Sequence, residues 1–235
     1  MAGVVAKKIA TQVDPAAPLN VTAERIGDAY ASRGAHKLVG AIDAFSQDGL
    51  EIAGRRCLDA GASTGGFTDV LLRHGAAVVV AVDVGYGQLV WRLQTDERVV
   101  ILDRTNVRDL TVDMIGGPVD LVVADLSFIS LRLVLPSFDR VTMPSADLLL
   151  MVKPQFEVGR EALPSGGVVR DPTARADAVA SVGEHAAAVG WGARGVTASP
   201  LPGPAGNVEY FLWLSRGAPA LERTAVTRAV EEGPA

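Results

Sequence analysis

A lysine stands at the end of an apolar run in the stretch "ADLLLMVKPQFE", residues 146–157. The chain seldom uses this residue, because only four of its 22 basic residues are lysine: Lys7, Lys8, Lys37 and Lys153. Arginine keeps its proton in a protein, whereas a lysine amine is able to lose it. Lys153 is therefore a candidate for an amine that is deprotonated during a reaction. The alternative is an ordinary surface lysine at a strand end.

Charged residues terminate five successive apolar runs along the chain. These runs end at Asp59, Asp83, Asp103, Asp125 and Lys153. Ligands of open α/β sheets bind at the carboxyl ends of the strands, where such side chains come together. The sequence thus predicts a polar site with four carboxylates and one amine at this edge of the sheet.

A glycine-rich loop follows the first of these runs, in "CLDAGASTGGFTDVLL", residues 57–72. Its spacing of Gly61, Gly65 and Gly66 is neither the GxGxxG of dinucleotide folds nor a P-loop with its lysine. Asp59 precedes the loop and would repel a pyrophosphate, but it suits a cation. S-adenosylmethionine carries a sulfonium and an ammonium, and glycines let the backbone pass close to such a ligand.

Two further carboxylates suit the same ligand. Asp83 ends the next run, where an acid is able to accept hydrogen bonds from ribose hydroxyls, and Asp103 ends the third, near an adenine edge. We therefore predict S-adenosylmethionine as cofactor, in preference to a nicotinamide cofactor or a loop that merely packs. The candidate contact residues are Asp59, Gly61, Ser63, Thr64, Gly65, Gly66, Phe67, Asp83 and Asp103.

Strand-like and helical segments alternate along the chain and must position these side chains. Strands that are apolar throughout indicate a mainly parallel sheet covered by helices on both faces, an α/β fold. We expect a first helix in "SRGAHKLVGAIDAF", capped by Ser32. Later elements are predicted as a helix near 172–189, strands near 194–199 and 207–215, and a short helix in "PALERTAVTRAVEE".

The composition narrows the class of protein. The 235 residues are 49% hydrophobic, which is enough for a sizeable core, and the net charge is −5. One cysteine fits a reducing compartment, and the three histidines show no metal-site spacing. His74 reads as a helix C-terminal residue ahead of a glycine. With no long apolar span and no cleavable signal pattern, the expected location is the cytoplasm.

Six ordered motifs, covering about residues 31–215, resemble the TlyA family within the FtsJ-like ribose 2′-O-methyltransferases. They are "SRGAHKL", "LDAGASTGGFTDVLL", "VDVGYGQL", "VVADLSFISL", "LLMVKPQFEVG" and "SPLPGPAGNVEYFLWL". The resemblance implies a Rossmann-like methyltransferase fold with a seven-stranded sheet, S-adenosylmethionine as cofactor, and methylation of the cytidine 2′-hydroxyl in ribosomal RNA. Some family members are also described as haemolysins.

The resemblance also implies a catalytic set of Lys37, Asp125, Lys153 and Glu209. Lys153 would act as the base, Asp125 would hold its amine, and Lys37 and Glu209 would orient the ribose. Two positive and two negative charges leave the set neutral, which makes burial bearable. Asp125 as a satisfied strand-end carboxylate and Glu209 as a structural ion-pair partner are the alternatives.

The resemblance predicts three segments and a partner. Residues 1–30 resemble the last strands of a small RNA-binding module plus a linker, residues 31–216 form the methyltransferase domain, and residues 217–235 form a C-terminal helix and tail. The basic helical half of that module is missing from the given sequence, so we expect a truncated module: either the start is misplaced or truncated, or the protein lacks part of its RNA grip. The predicted partners are ribosomal RNA and ribosomal subunits, with no membrane. Candidate phosphate contacts are Arg33, Arg104 and Arg132, with solvated surface charges as the alternative.

Three other functions compete with RNA methylation. Membrane lysis, suggested by the haemolysin label, would need an amphipathic or spanning segment, and no such segment is visible in the sequence. A non-catalytic RNA-binding or ribosome assembly factor would have little reason to keep all four catalytic-type residues. Methylation of a small molecule or a protein is disfavoured by the lysine–aspartate–lysine set.

Overall fold

The structure, a computed structural model, describes residues 29–159, 161 and 163–234. Its strands form one sheet in the order β3-β2-β1-β4-β5-β7-β6, and β7 runs antiparallel to both of its neighbours. The strands are β1 (Arg56–Ala60), β2 (Val78–Val82), β3 (Val99–Leu102), β4 (Val119–Ala124), β5 (Thr142–Val152), β6 (Trp191–Ala198) and β7 (Tyr210–Arg216). The predicted α/β class and the mainly parallel, seven-stranded sheet are confirmed.

Helices cover both faces of the sheet. They are α1 (Ala35–Phe45), α2 (Gly66–Arg73), α3 (Trp91–Gln94), α4 (Val112–Ile115), α5 (Leu135–Val141), α6 (Pro154–Glu157), α7 (Pro172–Ala188) and α8 (Arg223–Glu231). Successive strand residues point to opposite faces, so Cys57 and Val79 join one apolar cluster while Leu58 and Val80 join the other. This two-sided burial explains why the central strands are apolar throughout.

The start of the first helix differs from the prediction. Helix α1 begins at Ala35, and its N-cap is Gly34, which makes no side-chain cap hydrogen bond. The Ser32 hydroxyl instead lies against Gly66 at the start of α2, so closely that a Cβ on Gly66 would clash with it. A tertiary contact has therefore replaced the predicted Ser32 cap.

The later elements match the predictions with small changes in their bounds. Helix α7 begins at Pro172, and Asp171 caps it by accepting a 3.0 Å hydrogen bond from Thr173 N. The last strand begins at Tyr210 rather than 207, because Asn207 is held in a loop by side-chain bonds to Val169 N and Gly167 O, both 2.9 Å. The strand predicted near 194–199 begins earlier, at Trp191.

The prediction for the end of α2 has a clear outcome. His74 is the C-cap residue of α2, and its Nδ1 lies 2.8 Å from Val70 O, ahead of Gly75 with φ +83°. The structural interpretation of His74 is confirmed.

The predicted remnant of an RNA-binding module at 1–30 lies, up to residue 28, outside the described residues. No helix in the described part of the chain has the length and apolar character to cross a membrane.

Candidate active site

The charged residues predicted at the strand ends lie at one edge of the sheet. Four of them directly follow the last residue of a strand: Asp83 follows β2, Asp103 follows β3, Asp125 follows β4 and Lys153 follows β5. Asp59 differs, because it is the fourth of the five residues of β1 and therefore lies inside the strand. Four parallel strands thus deliver these side chains to their shared carboxyl edge, which is where ligands bind in such sheets.

The glycine-rich loop packs closely against this edge. Gly61 has φ +89°, and a Cβ there would lie 2.5 Å from the backbone oxygen of Asp125. Only glycine meets both requirements, a left-handed backbone and contact with a neighbouring main chain. A small cavity of about 110 Å³ lies between the loop and α1, and its lining includes Gly61, Ser63, Phe67 and Asp125.

Two of the predicted carboxylates organise the loops around this cavity. Asp83 accepts a 2.8 Å hydrogen bond from Ser63 N and a 2.7 Å bond from Gly85 N, one on each carboxylate oxygen. Asp103 accepts a 2.7 Å bond from Gly87 N. Each carboxylate oxygen is able to accept more than one hydrogen bond, so both side chains keep capacity for a ligand.

Asp59 is the most deeply buried of the acids, with 0% of its surface exposed. One carboxylate oxygen accepts a 2.7 Å bond from Thr68 Oγ1, and the other, Oδ1, has no hydrogen-bond partner among the described residues. Burial, with a smaller contribution from the charges of Asp125 and Asp83, raises the pKa of Asp59 to about 7 against the lowering effect of its hydrogen bonds with Thr68. A cation nearby would relieve this unfavourable charge.

Lys153 forms a close ion pair with Asp125. Its Nζ lies 2.6 Å from Asp125 Oδ1 and donates a 3.0 Å hydrogen bond to Ser127 Oγ. The lysine is 8% exposed, and it leads from the end of β5 into the short helix α6. The amine is therefore held by two partners from the loop that follows β4, the neighbouring strand.

Lys37 and Glu209 form a second ion pair, which is buried. Lys37 Nζ donates to Glu209 Oε2, and the two residues are 6% and 1% exposed. Lys37 lies in α1, and Glu209 is the residue just before β7. The four predicted residues thus form two ion pairs, each with one positive and one negative side chain.

A larger cavity of about 860 Å³ adjoins these pairs. Lys153 and Glu209 both line it, whereas Asp125 lines the smaller cavity beside the glycine-rich loop. The Lys153–Asp125 ion pair therefore connects a residue of the larger cavity with a residue of the smaller one.

The candidate arginines have different surroundings. Arg132 bonds to Ser130 Oγ and to Glu157 O, both at 3.1 Å, and so belongs to an internal network. Arg104 is exposed, and its guanidinium lies 4.2 Å from the centre of the Tyr86 ring. Arg33 is also exposed. Arg104 and Arg33 remain candidates for phosphate contacts, and Arg132 is less available for one.

Three cavity residues were missed by the sequence reasoning. Ser127 bonds the Lys153 amine, Phe128 is 91% exposed with φ +64°, and Gln155 has a buried side-chain oxygen without a partner among the described residues. All three line the larger cavity. Ser127 and Phe128 lie in the motif "VVADLSFISL" and Gln155 lies in "LLMVKPQFEVG", but no periodic pattern singles out an individual residue in either segment.

Fold and site together define a class of protein. A mainly parallel seven-stranded sheet with one antiparallel strand, a glycine-rich loop after β1 and acids after β2 and β3 are typical of Rossmann-like methyltransferases. Among the described residues, no group of three or more His, Cys, Asp or Glu side chains is placed to hold a metal ion.

Comparisons with known proteins identify the family. A model of the FtsJ-like methyltransferase family matches residues 30–216. The 16S/23S rRNA (cytidine-2′-O)-methyltransferase TlyA of Mycobacterium tuberculosis is 57% identical over 238 residues, which cover 99% of this chain and 87% of that protein. YqxC of Bacillus subtilis, named as a candidate rRNA methyltransferase, is 40% identical over 94% of this chain and 79% of its own length.

A solved structure agrees with this result. A candidate hemolysin from Streptococcus thermophilus superposes with a TM-score of 0.81 at 37% identity, covering 86% of this chain and 74% of that one. The chain belongs to the FtsJ-like methyltransferase family, within its TlyA group. The resemblance predicted from six motifs is confirmed.

Proposed function

We propose that this protein transfers a methyl group from S-adenosylmethionine to the ribose 2′-hydroxyl of a cytidine in ribosomal RNA. The observation that carries the proposal is the Lys153–Asp125 ion pair, because it joins a residue of the larger cavity to a residue of the glycine-loop cavity. An acceptor in the larger cavity would meet a general base there, next to the methyl donor.

The residues around the smaller cavity fit S-adenosylmethionine. Gly61 and Gly66 line the cavity without side chains of their own, and Asp59, whose unpartnered Oδ1 suits a cationic ligand, lies buried in β1 directly before the loop. When bound, S-adenosylmethionine supplies the methyl group, whose bond to sulfur breaks as its bond to the ribose oxygen forms. The residues proposed to hold it are Asp59, Gly61, Ser63, Thr64, Gly65, Gly66, Phe67, Asp83 and Asp103.

Lys153 is proposed to act as the general base. A ribose hydroxyl is a weak nucleophile, so its proton must leave as the oxygen attacks. For this step Lys153 first releases its own ammonium proton to solvent. The neutral Nζ then accepts the hydroxyl proton, and the Asp125 carboxylate at 2.6 Å stabilises the ammonium that forms again. Ser127 Oγ, at 3.0 Å, fixes the direction of the amine.

The acceptor nucleotide is proposed to lie in the larger cavity. The Lys37–Glu209 pair orients its ribose, with Glu209 lining the cavity and Lys37 holding the carboxylate in place. The exposed ring of Phe128 offers a flat surface on which an unstacked base is able to stack, as in many RNA-binding sites. Alignment of hydroxyl and methyl group is where most of the rate enhancement arises.

The choice of ribosomal RNA and of cytidine follows the TlyA relative, which is named for that substrate. A direct test is to map 2′-O-methyl groups in both ribosomal RNAs from cells with and without the gene. We expect at least one cytidine to lose its methyl group in the deletion strain and to regain it with the wild-type gene but not with Lys153→Arg. Identical methylation maps in the deletion and parent strains would refute the proposal.

A further inference from the structure

Two loops that follow neighbouring parallel strands run side by side at the active site. The first, which we name the acceptor loop, comprises residues 125–131 after β4, and the second consists of Lys153 and the short helix α6 (Pro154–Glu157) after β5. The pairing of β4 with β5 ends at Ala124 and Leu150, whereas β5 stays paired with β7 as far as Val152. Contacts beyond the β4–β5 pairing therefore help to keep Lys153 next to Asp125.

Side chains at both ends connect the two loops. Near the strands, Lys153 bonds Asp125 and Ser127, and further out the ring centres of Phe156 and Phe128 are 5.2 Å apart. The aromatic contact adds little directional constraint. The far end of the acceptor loop needs a separate anchor if its near end is to stay in place.

Glu157 supplies that anchor. Its Oε2 accepts a 2.6 Å hydrogen bond from Ser130 Oγ, and its Oε1 accepts a 2.8 Å bond from Leu131 N. The side chain is 5% exposed, and Arg132 Nε lies 3.5 Å from Oε2. A carboxylate that bonds both a hydroxyl and a main-chain N–H fixes the position of the loop backbone as well as that of one side chain.

This carboxylate is costly to bury. Burial raises the pKa of Glu157, although its bonds to Ser130 and Leu131 and the charge of Arg132 act in the opposite direction. A neutral or apolar residue at this position would avoid the desolvation cost. The contacts between the two loops explain why a carboxylate stands here, because an apolar side chain has no atom that accepts a hydrogen bond from Leu131 N.

From these contacts we infer that Glu157 is a positioning residue for methyl transfer, which holds the acceptor loop so that Asp125 and Ser127 stay against the Lys153 amine. The inference rests on the proposed function for its chemistry, but its geometry is independent of it. Glu157 touches no reacting atom and acts only through the loop.

The test compares three variants with the wild-type protein. Glu157→Ala removes both hydrogen bonds, whereas Glu157→Gln keeps an acceptor for Leu131 N and a donor for Ser130 Oγ. Asp147→Ala is the matched control. Asp147 is a buried carboxylate on β5, far along the strand from Lys153, and it accepts bonds from Arg55 Nη1 at 2.5 Å and Trp213 Nε1 at 2.9 Å.

The first readout is the single-turnover rate of methyl transfer at saturating RNA, corrected for the folded fraction, with S-adenosylmethionine affinity measured in parallel. Glu157→Ala should slow the rate by about tenfold to a hundredfold, as expected for misplaced catalytic groups, with cofactor affinity within about twofold of wild type. Glu157→Gln should stay within about threefold of the wild-type rate. Asp147→Ala should lose stability but keep its rate.

The second readout needs no turnover. Only four lysines occur in the chain, so the side-chain NMR signal of Lys153 is assignable through its loss in Lys153→Arg. Glu157→Ala should shift or broaden that signal, and Asp147→Ala should leave it unchanged.

Several outcomes would overturn the inference. A Glu157→Ala protein with the wild-type rate and an unchanged Lys153 signal would reduce Glu157 to a stabilising role. A Glu157→Gln protein as slow as Glu157→Ala would show that charge, not hydrogen bonding, matters. If the wild-type protein itself transfers no methyl group to ribosomal RNA, the proposed function fails separately, and the lysine spectrum still decides the role of Glu157.

Discussion

The Nζ of Lys153 lies 2.6 Å from Oδ1 of Asp125, although 28 positions separate the two residues in the chain. Each side chain comes from the residue that directly follows a parallel strand, and the two strands, β4 and β5, are neighbours in the sheet. This arrangement places an amine and its counter-charge at a fixed point of the sheet edge. When Lys153 takes up a proton at this point, the Asp125 carboxylate stabilises the positive charge of the amine.

The first prediction concerns Asp83. Replacing it with alanine removes the acceptor for Ser63 N and Gly85 N and the proposed acceptor for the cofactor ribose. Charged hydrogen bonds contribute roughly 1.5–3 kcal/mol each, so S-adenosylmethionine should bind about 10- to 100-fold more weakly by calorimetry. Asp120→Ala, which removes a carboxylate that bonds Arg56 N in β1, is the control and should bind normally. Equal affinities in both variants would place the ribose elsewhere.

The second prediction separates backbone strain from crowding at the glycine-rich loop. Gly61→Ala adds a Cβ both at a positive φ and against Asp125 O, whereas Gly54→Ala adds one at φ +75° with no atom within 4 Å. A left-handed backbone costs roughly 1–2 kcal/mol in each variant. Only Gly61→Ala should also displace Asp125, so it alone should lose methyl transfer by more than about tenfold. Equal activity in the two variants would contradict this reason for Gly61.

The third prediction concerns the buried Lys37–Glu209 pair. Removing one charge should destabilise the protein by about 3–5 kcal/mol, because the other charge stays buried without a partner. The double variant Lys37→Met, Glu209→Leu should recover much of that loss in urea unfolding. It should still bind S-adenosylmethionine but transfer no methyl group. A double variant with wild-type activity would make the pair structural only.

The fourth prediction is a pH dependence that comes from Asp59. Its pKa rises from 3.8 to about 7 on folding, so between these values the native state binds a proton that the unfolded state has lost. Asp59 therefore favours the folded state below about pH 4, and this contribution disappears as the pH rises toward 7. Urea unfolding of the cofactor-free protein across this range should show a steeper fall for wild type than for Asp59→Asn. Parallel curves would argue against a shifted Asp59.

Much of the fold and part of the site were predictable from the sequence. Apolar strands and the charged residues after them leave a linear pattern, so Asp83, Asp103, Asp125 and Lys153 were predicted at the correct edge. The Ser32 cap was wrong because the local helix signal does not include the close approach of Gly66.

Contacts between distant segments were not predictable from spacing. Lys37 and Glu209 lie 172 positions apart, and only the family resemblance suggested that they belong to one site. The bonds from Ser130 and Leu131 to Glu157 likewise depend on how two loops leave adjacent strands. No periodic pattern encodes such a relationship, since each loop residue is fixed by packing rather than by a repeating backbone.

An independent check on Lys153 uses chemical restoration of its amine. Lys153→Cys should be inactive, and alkylation of the new thiol with bromoethylamine rebuilds an amine of similar reach. Cys57 should not interfere, because it is buried and its pKa is raised to about 12, which keeps it in the unreactive thiol form. Activity should return after alkylation and stay absent after treatment with a neutral alkylating agent.

The most direct test of the mechanism is the single-turnover methyl-transfer rate of Lys153→Arg on ribosomal RNA. Arginine keeps the positive charge beside Asp125 and most of the reach of lysine, but it is unable to give up its proton. If Lys153 is the base, the rate should fall by about 10²- to 10⁴-fold, while S-adenosylmethionine binds nearly as tightly as to the wild-type protein. A Lys153→Arg enzyme that methylates its RNA within a few-fold of the wild-type rate would contradict the proposed mechanism.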